Sequence, residues 1–267
     1  MSERARQVLL GGLVVIAFSF LLCPHRAECL HAIGQVGVWL VGGAKVGLVL
    51  AASSLLAWAA RLAWLVHADV GLVRTLPRSR SLPPALQAAL RSTGLARAFC
   101  VVSELPIALC TGALWPVVVV SDGLVRCLRP AELEAVLLHE GDHARRREPL
   151  LRAATRAAAD VLFYAPVVRW WSRWLAARAE LRADRAAIET VGRGPVAAAL
   201  LTLGSHGRPS GAAAFASTAQ LRIAQVLGDP LPAQAPELSV LAITWVGVYL
   251  AFVSAGCLVQ ILLSLAR

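Results

Sequence analysis

Residues 138–148 read LHEGDHARRRE. His139 and His143, two of the chain's six histidines, stand four residues apart, and Glu140 follows the first directly. The flanking residues predict a helix over 130–147. Pro130 suits the first helical position, where no backbone N–H is needed, and Glu132 and Glu134 favour the positive N-terminal end. Leu133, Val136, Leu137 and Ala144 supply apolar contacts. Arg145, Arg146 and Arg147 fill the last turn, and Pro149 acts as a stop. Four residues along an α-helix return to nearly the same face, so His139 and His143 can present two imidazoles to one metal ion. Glu140 then projects to the side, toward a water at that metal. This is the H-E-x-x-H arrangement, in which zinc acidifies a water and the glutamate takes its proton.

Catalytic zinc usually takes three protein ligands. Residues 178–189, RAELRADRAAIE, offer Glu180 and Asp184 one helical turn apart. Glu180 completes a two-histidine, one-glutamate set, and Asp184 is placed to hydrogen-bond a ligand imidazole from behind. The competing reading is a charged turn on a solvated helix. Gly141 costs such a helix roughly 1 kcal/mol, and a plain solvated helix has no need of two histidines beside a long apolar run.

The 267 residues are 58% hydrophobic, with mean hydropathy +0.66. That lies above the usual soluble range and favours a membrane protein. Net charge is +10, carried by arginines with a single lysine, Lys45. The arginines are dispersed and aromatic residues make up only 6%, which argues against direct nucleic-acid binding. The six cysteines form no C-x-x-C pair, so neither a disulfide framework nor a zinc ribbon is expected.

Three apolar stretches organise the chain. The first predicts an uncleaved span over about residues 8–24, the second a span over 36–66 broken only by Lys45 and Arg61, and the third an uncharged span within 238–267. Arg4 and Arg6 precede the first, and Arg74, Arg78, Arg80, Arg91 and Arg97 follow the second. By the positive-inside rule the N-terminus and residues 67–237 face the cytoplasm. That middle region is long enough for a core of its own. Its first part reads as strands. Residues 99–102 and 107–110 flank a turn at 104–106, and Pro116–Val120 is a candidate edge strand able to pair with an extended peptide, with an ordinary core strand as the plainer alternative. The remainder reads as helix.

These segments together resemble the integral-membrane zinc peptidases of the β-lactam sensor/antirepressor type, the Bla/Mec receptor family. The carrying residues are SDGLVRCLRPAELEAVLLHEGDHARRREPL (121–150), FYAPVVRWWSRW (163–174), RAELRADRAAIE (178–189) and QLRIAQVL (220–227). The resemblance implies a mainly α membrane protein: about three transmembrane helices around an α+β, zincin-like (gluzincin) metallopeptidase domain with a small β-sheet. It implies one zinc per chain on His139, His143 and Glu180, with Glu140 as general base and Asp184 in support. It further implies a bacterial plasma-membrane location and a protein substrate, with a winged-helix repressor as the candidate. Glu148 stands where the family often has Asp, and Gly141-Asp142 is an unusual filling of the motif. Receptor members carry a penicillin-binding sensor domain after the last span. No S-x-x-K set for an acyl-serine site occurs here, so direct β-lactam sensing by these residues is not expected. Prenyl-protein (CAAX) and HtpX-like membrane proteases share the two motifs and are the alternative relatives. A membrane scaffold with a structural zinc site is a third reading.

Five further features are candidates. His206, in a segment rich in Gly, Pro and Ser, and Arg222, in QLRIAQ, are each placed to steady an oxyanion; an exposed loop histidine and a structural ion pair are the plainer alternatives. Cys23, His25, Cys29 and His31 alternate as metal ligands or as a Cys23–Cys29 disulfide. Trp170, Trp171 and Trp174 suit either a membrane interface or the catalytic core. Residues 160–168, broken by Pro166, are too short to span and fit a shallow interfacial hairpin.

Overall fold

A computed structural model describes residues 36–206, 212–232 and 234–265, with side chains over 43–204, 218–232 and 234–257. The predicted first span and the Cys/His cluster at 23–31 lie outside the described residues. The rest is mainly helical with one small sheet: α1 (Val36–Thr75), α2 (Pro84–Thr93), β1 (Ala98–Val101), β2 (Ala108–Thr111), β3 (Val117–Ser121), α3 (Asp122–Cys127), α4 (Pro130–Arg145), α5 (Glu148–Val161), α6 (Pro166–Val191), α7 (Arg193–His206), α8 (Ala212–Leu227) and α9 (Leu238–Leu265). Two of these, α1 and α9, are long and apolar enough to cross a membrane. α9 coincides with the uncharged stretch read from sequence. α1 runs on to Thr75 as a helix beyond the span expected over 36–66, with no proline between residue 66 and Pro77 to stop it.

The described residues form two compact units. One takes residues 36–61, 156–171 and 235–265; the other takes 62–155, 172–232 and Gln234. In the first, residues 162–165 form a tight turn between two helices. Leu162, Phe163, Tyr164 and Ala165 connect α5 to α6, and Pro166 opens α6. Arg61 holds Asp160 at 2.8 Å, and the Thr244 hydroxyl accepts from the Val167 N–H at 3.0 Å.

The second unit holds the sheet. Strand order is β1-β3-β2, with β1 parallel and β2 antiparallel to β3. This overturns the edge-strand reading of Pro116–Val120. Val118, Val119 and Val120 are fully buried, and successive valines buried on both faces belong in the middle of a sheet. The segments at 99–102 and 107–110 are accordingly not partners, since β3 lies between them. The outer edge of β1 is covered by residues 77–79: Ser79 donates to the Cys100 carbonyl at 2.8 Å, and Val102 donates to that of Pro77 at 3.1 Å. The core joins Leu86 and Ala89 of α2, Cys100, Val118 and Val120 of the sheet, Leu124 of α3, and Leu133, Val136 and Leu137 of α4.

α4 spans Pro130–Arg145, close to expectation. Its start carries a capping box, in which the Glu132 side chain accepts from the Arg129 N–H at 3.0 Å. Its end differs from the simple stop expected at Pro149. Arg147 takes a left-handed conformation (φ 52°), and Pro149 lies in the first turn of α5, where proline costs no hydrogen bond.

Candidate metal centre

Side chains of α4 and α6 meet in opposite chain directions. Ala135 shares a buried cluster with Ala187, and one turn further along α4 His139 meets Asp184 and Glu180. His143, another turn on, again meets Glu180. Ala177, Ala179, Ala183 and Ala187 line the buried side of α6. The Glu180 side chain reaches both histidines of the facing helix.

His139 Nε2 and His143 Nε2 lie 3.1 Å apart. Glu180 Oε2 is 3.3 Å from the first, and Glu180 Oε1 is 3.6 Å from the second. Tetrahedral ligands at zinc distances of about 2.0–2.1 Å stand roughly 3.3 Å apart, so these separations bracket the spacing a zinc ion requires. His143 Nδ1 is buried with no hydrogen-bond partner. His139 Nδ1 lies 2.8 Å from Asp184 Oδ1, a close contact with a buried carboxylate. Two imidazoles turning Nε2 toward each other and toward a carboxylate form a donor set that fits a divalent cation of the zinc type.

The ionisable groups here are strongly perturbed. Burial lowers the His139 pKa, but Asp184 and Glu180 outweigh it and hold it up at about 9. Burial and the charge on His139 push His143 down to about 4. Burial opposes ionisation of Glu180, yet His139, Arg222 and Arg152 keep its carboxyl well below the usual range. Glu140 moves the other way, raised by burial. A carboxylate with a raised pKa is a better proton acceptor than an exposed one.

Arg222 on α8 grips Asp184 with two hydrogen bonds of 2.7 Å and reaches Glu180 Oε2 at 3.3 Å. This agrees with the ion-pair alternative for that residue. His206 does not lie in a loop, because α7 runs through it; its side chain lies outside the described residues. Trp171 is partly exposed, and Arg178 stacks over Trp174 at 4.7 Å.

Sequence reasoning missed two arginines. Arg152 on α5 donates to Glu180 Oε1 at 2.6 Å. Arg182 on α6 reaches the buried Asp142 at 3.3 Å and pairs closely with the buried Glu148. No local spacing marks either among so many arginines. Also unforeseen was Cys110 on β2, whose thiol is pushed up to about 12 by burial and then by the charge of Glu140. β2 therefore runs beside the candidate base.

Two histidines and a glutamate converging on one point form a group that could hold a metal ion. Residues 30–222 match the BlaR1 peptidase M56 family, and the chain belongs to that family. No curated protein matches the chain.

Proposed function

We propose that the chain is a membrane-anchored zinc endopeptidase that hydrolyses a protein substrate with water. His139, His143 and Glu180 hold the zinc, Glu140 is the general base, and Asp184 with Arg222 steadies His139. The observation that carries this reading is the 3.1, 3.3 and 3.6 Å triangle of donor atoms beside a carboxyl whose pKa burial has raised. A bound zinc ion supplies Lewis acidity toward the scissile carbonyl and its attacking water. Glu140 accepts the proton of that water and delivers it to the leaving amine. Asp184 holds the His139 ring so that Nε2 faces the centre. Arg152 and Arg222 keep Glu180 ionised and therefore able to act as a ligand.

Residues 67–237 are proposed as a gluzincin-like peptidase domain on the cytoplasmic face, between an N-terminal membrane region (spans at about 8–24 and 36–66) and the C-terminal span. The arginine bias around the spans supports this orientation. By family resemblance, the substrate class is a transcriptional repressor.

Elemental analysis of the full chain, His139→Ala, Glu180→Ala and Glu140→Gln tests the assignment. The reading expects about one zinc per chain in the native protein and in Glu140→Gln, loss of zinc in the two ligand variants, and proteolysis in the native protein alone. Zinc that survives Glu180→Ala would sink the ligand set. Proteolysis that survives Glu140→Gln would sink the base.

A further inference from the structure

The turn between β2 and β3 is fastened to α1. Asp69 accepts hydrogen bonds from the Thr111 hydroxyl at 2.6 Å, the Gly112 N–H at 3.0 Å and the Ala113 N–H at 2.7 Å. The turn is also tightly folded. Gly112 has φ +89°, and a Cβ there would lie 2.4 Å from the Trp115 carbonyl oxygen. Thr111 and Ala113 are buried, whereas Leu114 is 45% and Trp115 68% exposed. A backbone held this firmly thus ends in two large apolar side chains facing solvent.

The position of Asp69 along α1 gives the depth of that tip. Lys45 and Arg61 are the only charged residues between 36 and 66, and Arg61 is paired with Asp160. A hydrocarbon core of about 30 Å takes about 20 helical residues, so a span starting after Lys45 leaves the core near residue 66. Asp69 comes three residues later, roughly 4.5 Å further on at 1.5 Å per residue. The interfacial layer extends about 5–7 Å beyond the hydrocarbon on each side. Asp69, and the turn bonded to it, fall within that layer. Tryptophan favours this depth because its ring is apolar and its N–H can still reach water and headgroups.

We propose that the Leu114–Trp115 tip is an interfacial membrane anchor, dipping into the headgroup–acyl boundary of the leaflet where α1 ends, with lipid as its partner. The proposal rests on reading α1 as a span. β2 leads from this tip directly to Cys110 beside Glu140, so the bilayer surface sets the height of the strand that flanks the candidate base.

The test uses the full chain and its Trp115→Phe variant in nanodiscs, with and without lipids brominated high on the acyl chain. Subtracting the variant's emission from that of the native protein isolates Trp115. The proposal expects a blue-shifted difference spectrum that loses most of its intensity in brominated lipid. A difference spectrum at the wavelength of water-exposed tryptophan, unchanged by bromine, overturns it. The variant's remaining tryptophans, Trp58 and Trp64 on α1 among them, report separately. Their quenching upholds the span even if the tip is dry of lipid, and their failure to quench overturns span and anchor together.

Discussion

Arg222 clasps Asp184 through Nε to Oδ2 and through a terminal nitrogen to Oδ1, each at 2.7 Å, and the same Oδ1 lies 2.8 Å from His139 Nδ1. The chain of contacts runs from α8 through α6 to α4, so an arginine on a third helix bears on the ring of His139 as well as on Glu180, whose Oε2 it reaches at 3.3 Å. Asp184→Asn keeps the shape but loses the charge. It is expected to weaken zinc binding by about 10–100-fold, as is typical when a ligand histidine loses its supporting carboxylate. Arg222→Lys keeps the charge but loses the two-pronged grip, and a smaller loss of the same kind is expected. Competition against a chelator measures both, and equal affinity in the native protein and Asp184→Asn would show that Asp184 does not orient His139.

Metal uptake should release a proton. Without metal, His139 titrates at about 9 and His143 at about 4, so near pH 7 the pair carries one proton, shared across a 3.1 Å contact. A metal needs the lone pair on both Nε2 atoms and must displace that proton. Because the raised pKa favours the protonated form, apparent affinity should rise about tenfold per pH unit up to about pH 9 and then level off. Titration calorimetry at pH 7.5 in buffers of different ionisation enthalpy should count about one proton released per zinc. A count of zero would mean that the histidines do not share a proton in the empty site.

What was legible in the sequence was what short-range geometry dictates. His139 and His143 are spaced by one helical turn, as are Glu180 and Asp184, so each pair declares a shared face without knowledge of the fold. The uncharged run of α9 is legible for the same reason. Strand order was not, because β1 and β3 pair in parallel across an intervening strand and nothing local sets that register. Pro116–Val120 shows the difference: its composition identified a strand, and only burial on both faces made it central. Arg152 and Arg182 were invisible because their partners come from other helices and arginine is everywhere in this chain.

Arg182 ties three pieces together, reaching Asp142 of α4 and Glu148 at the start of α5 from a position two residues beyond Glu180. Asp142 and Glu148 are both almost fully buried. Asp142 has other partners in Arg146 at 3.2 Å and Arg145 at 3.7 Å, so Glu148 is the carboxylate left most exposed to the loss. Removing one partner of a buried pair costs about 3–5 kcal/mol. Arg182 is 37% exposed, and water can screen part of the loss, so about 2–3 kcal/mol is expected for Arg182→Ala. Glu148→Gln in the same background should recover part of it, because the buried charge is then gone. Unfolding midpoints of the native protein and the three variants at one scan rate check this, and additive effects of the two changes would show that the residues are not coupled.

Gly141, in the middle of the motif, is replaceable by the geometry around it. An added Cβ would meet Leu95 Cδ1 at 3.4 Å and an Arg145 terminal nitrogen at 3.6 Å, both ends of flexible side chains at ordinary contact. Alanine is favoured over glycine inside a helix by about 0.5–1 kcal/mol, so Gly141→Ala should stabilise the chain by about that much and leave zinc content unchanged. Gly123 offers the contrast. There a Cβ would lie 2.3 Å from the Glu104 carbonyl oxygen and 2.7 Å from that of Ser103. Both obstacles are backbone, and the Ser103 oxygen also accepts from the Gly123 N–H at 2.9 Å. Gly123→Ala should therefore destabilise by about 1–3 kcal/mol, the usual cost of forcing atoms into filled space. Thermal unfolding should move the two variants in opposite directions. A loss of stability in Gly141→Ala would mean that α4 lies closer to Leu95 than this structure has it, and that the glycine is there to admit that approach.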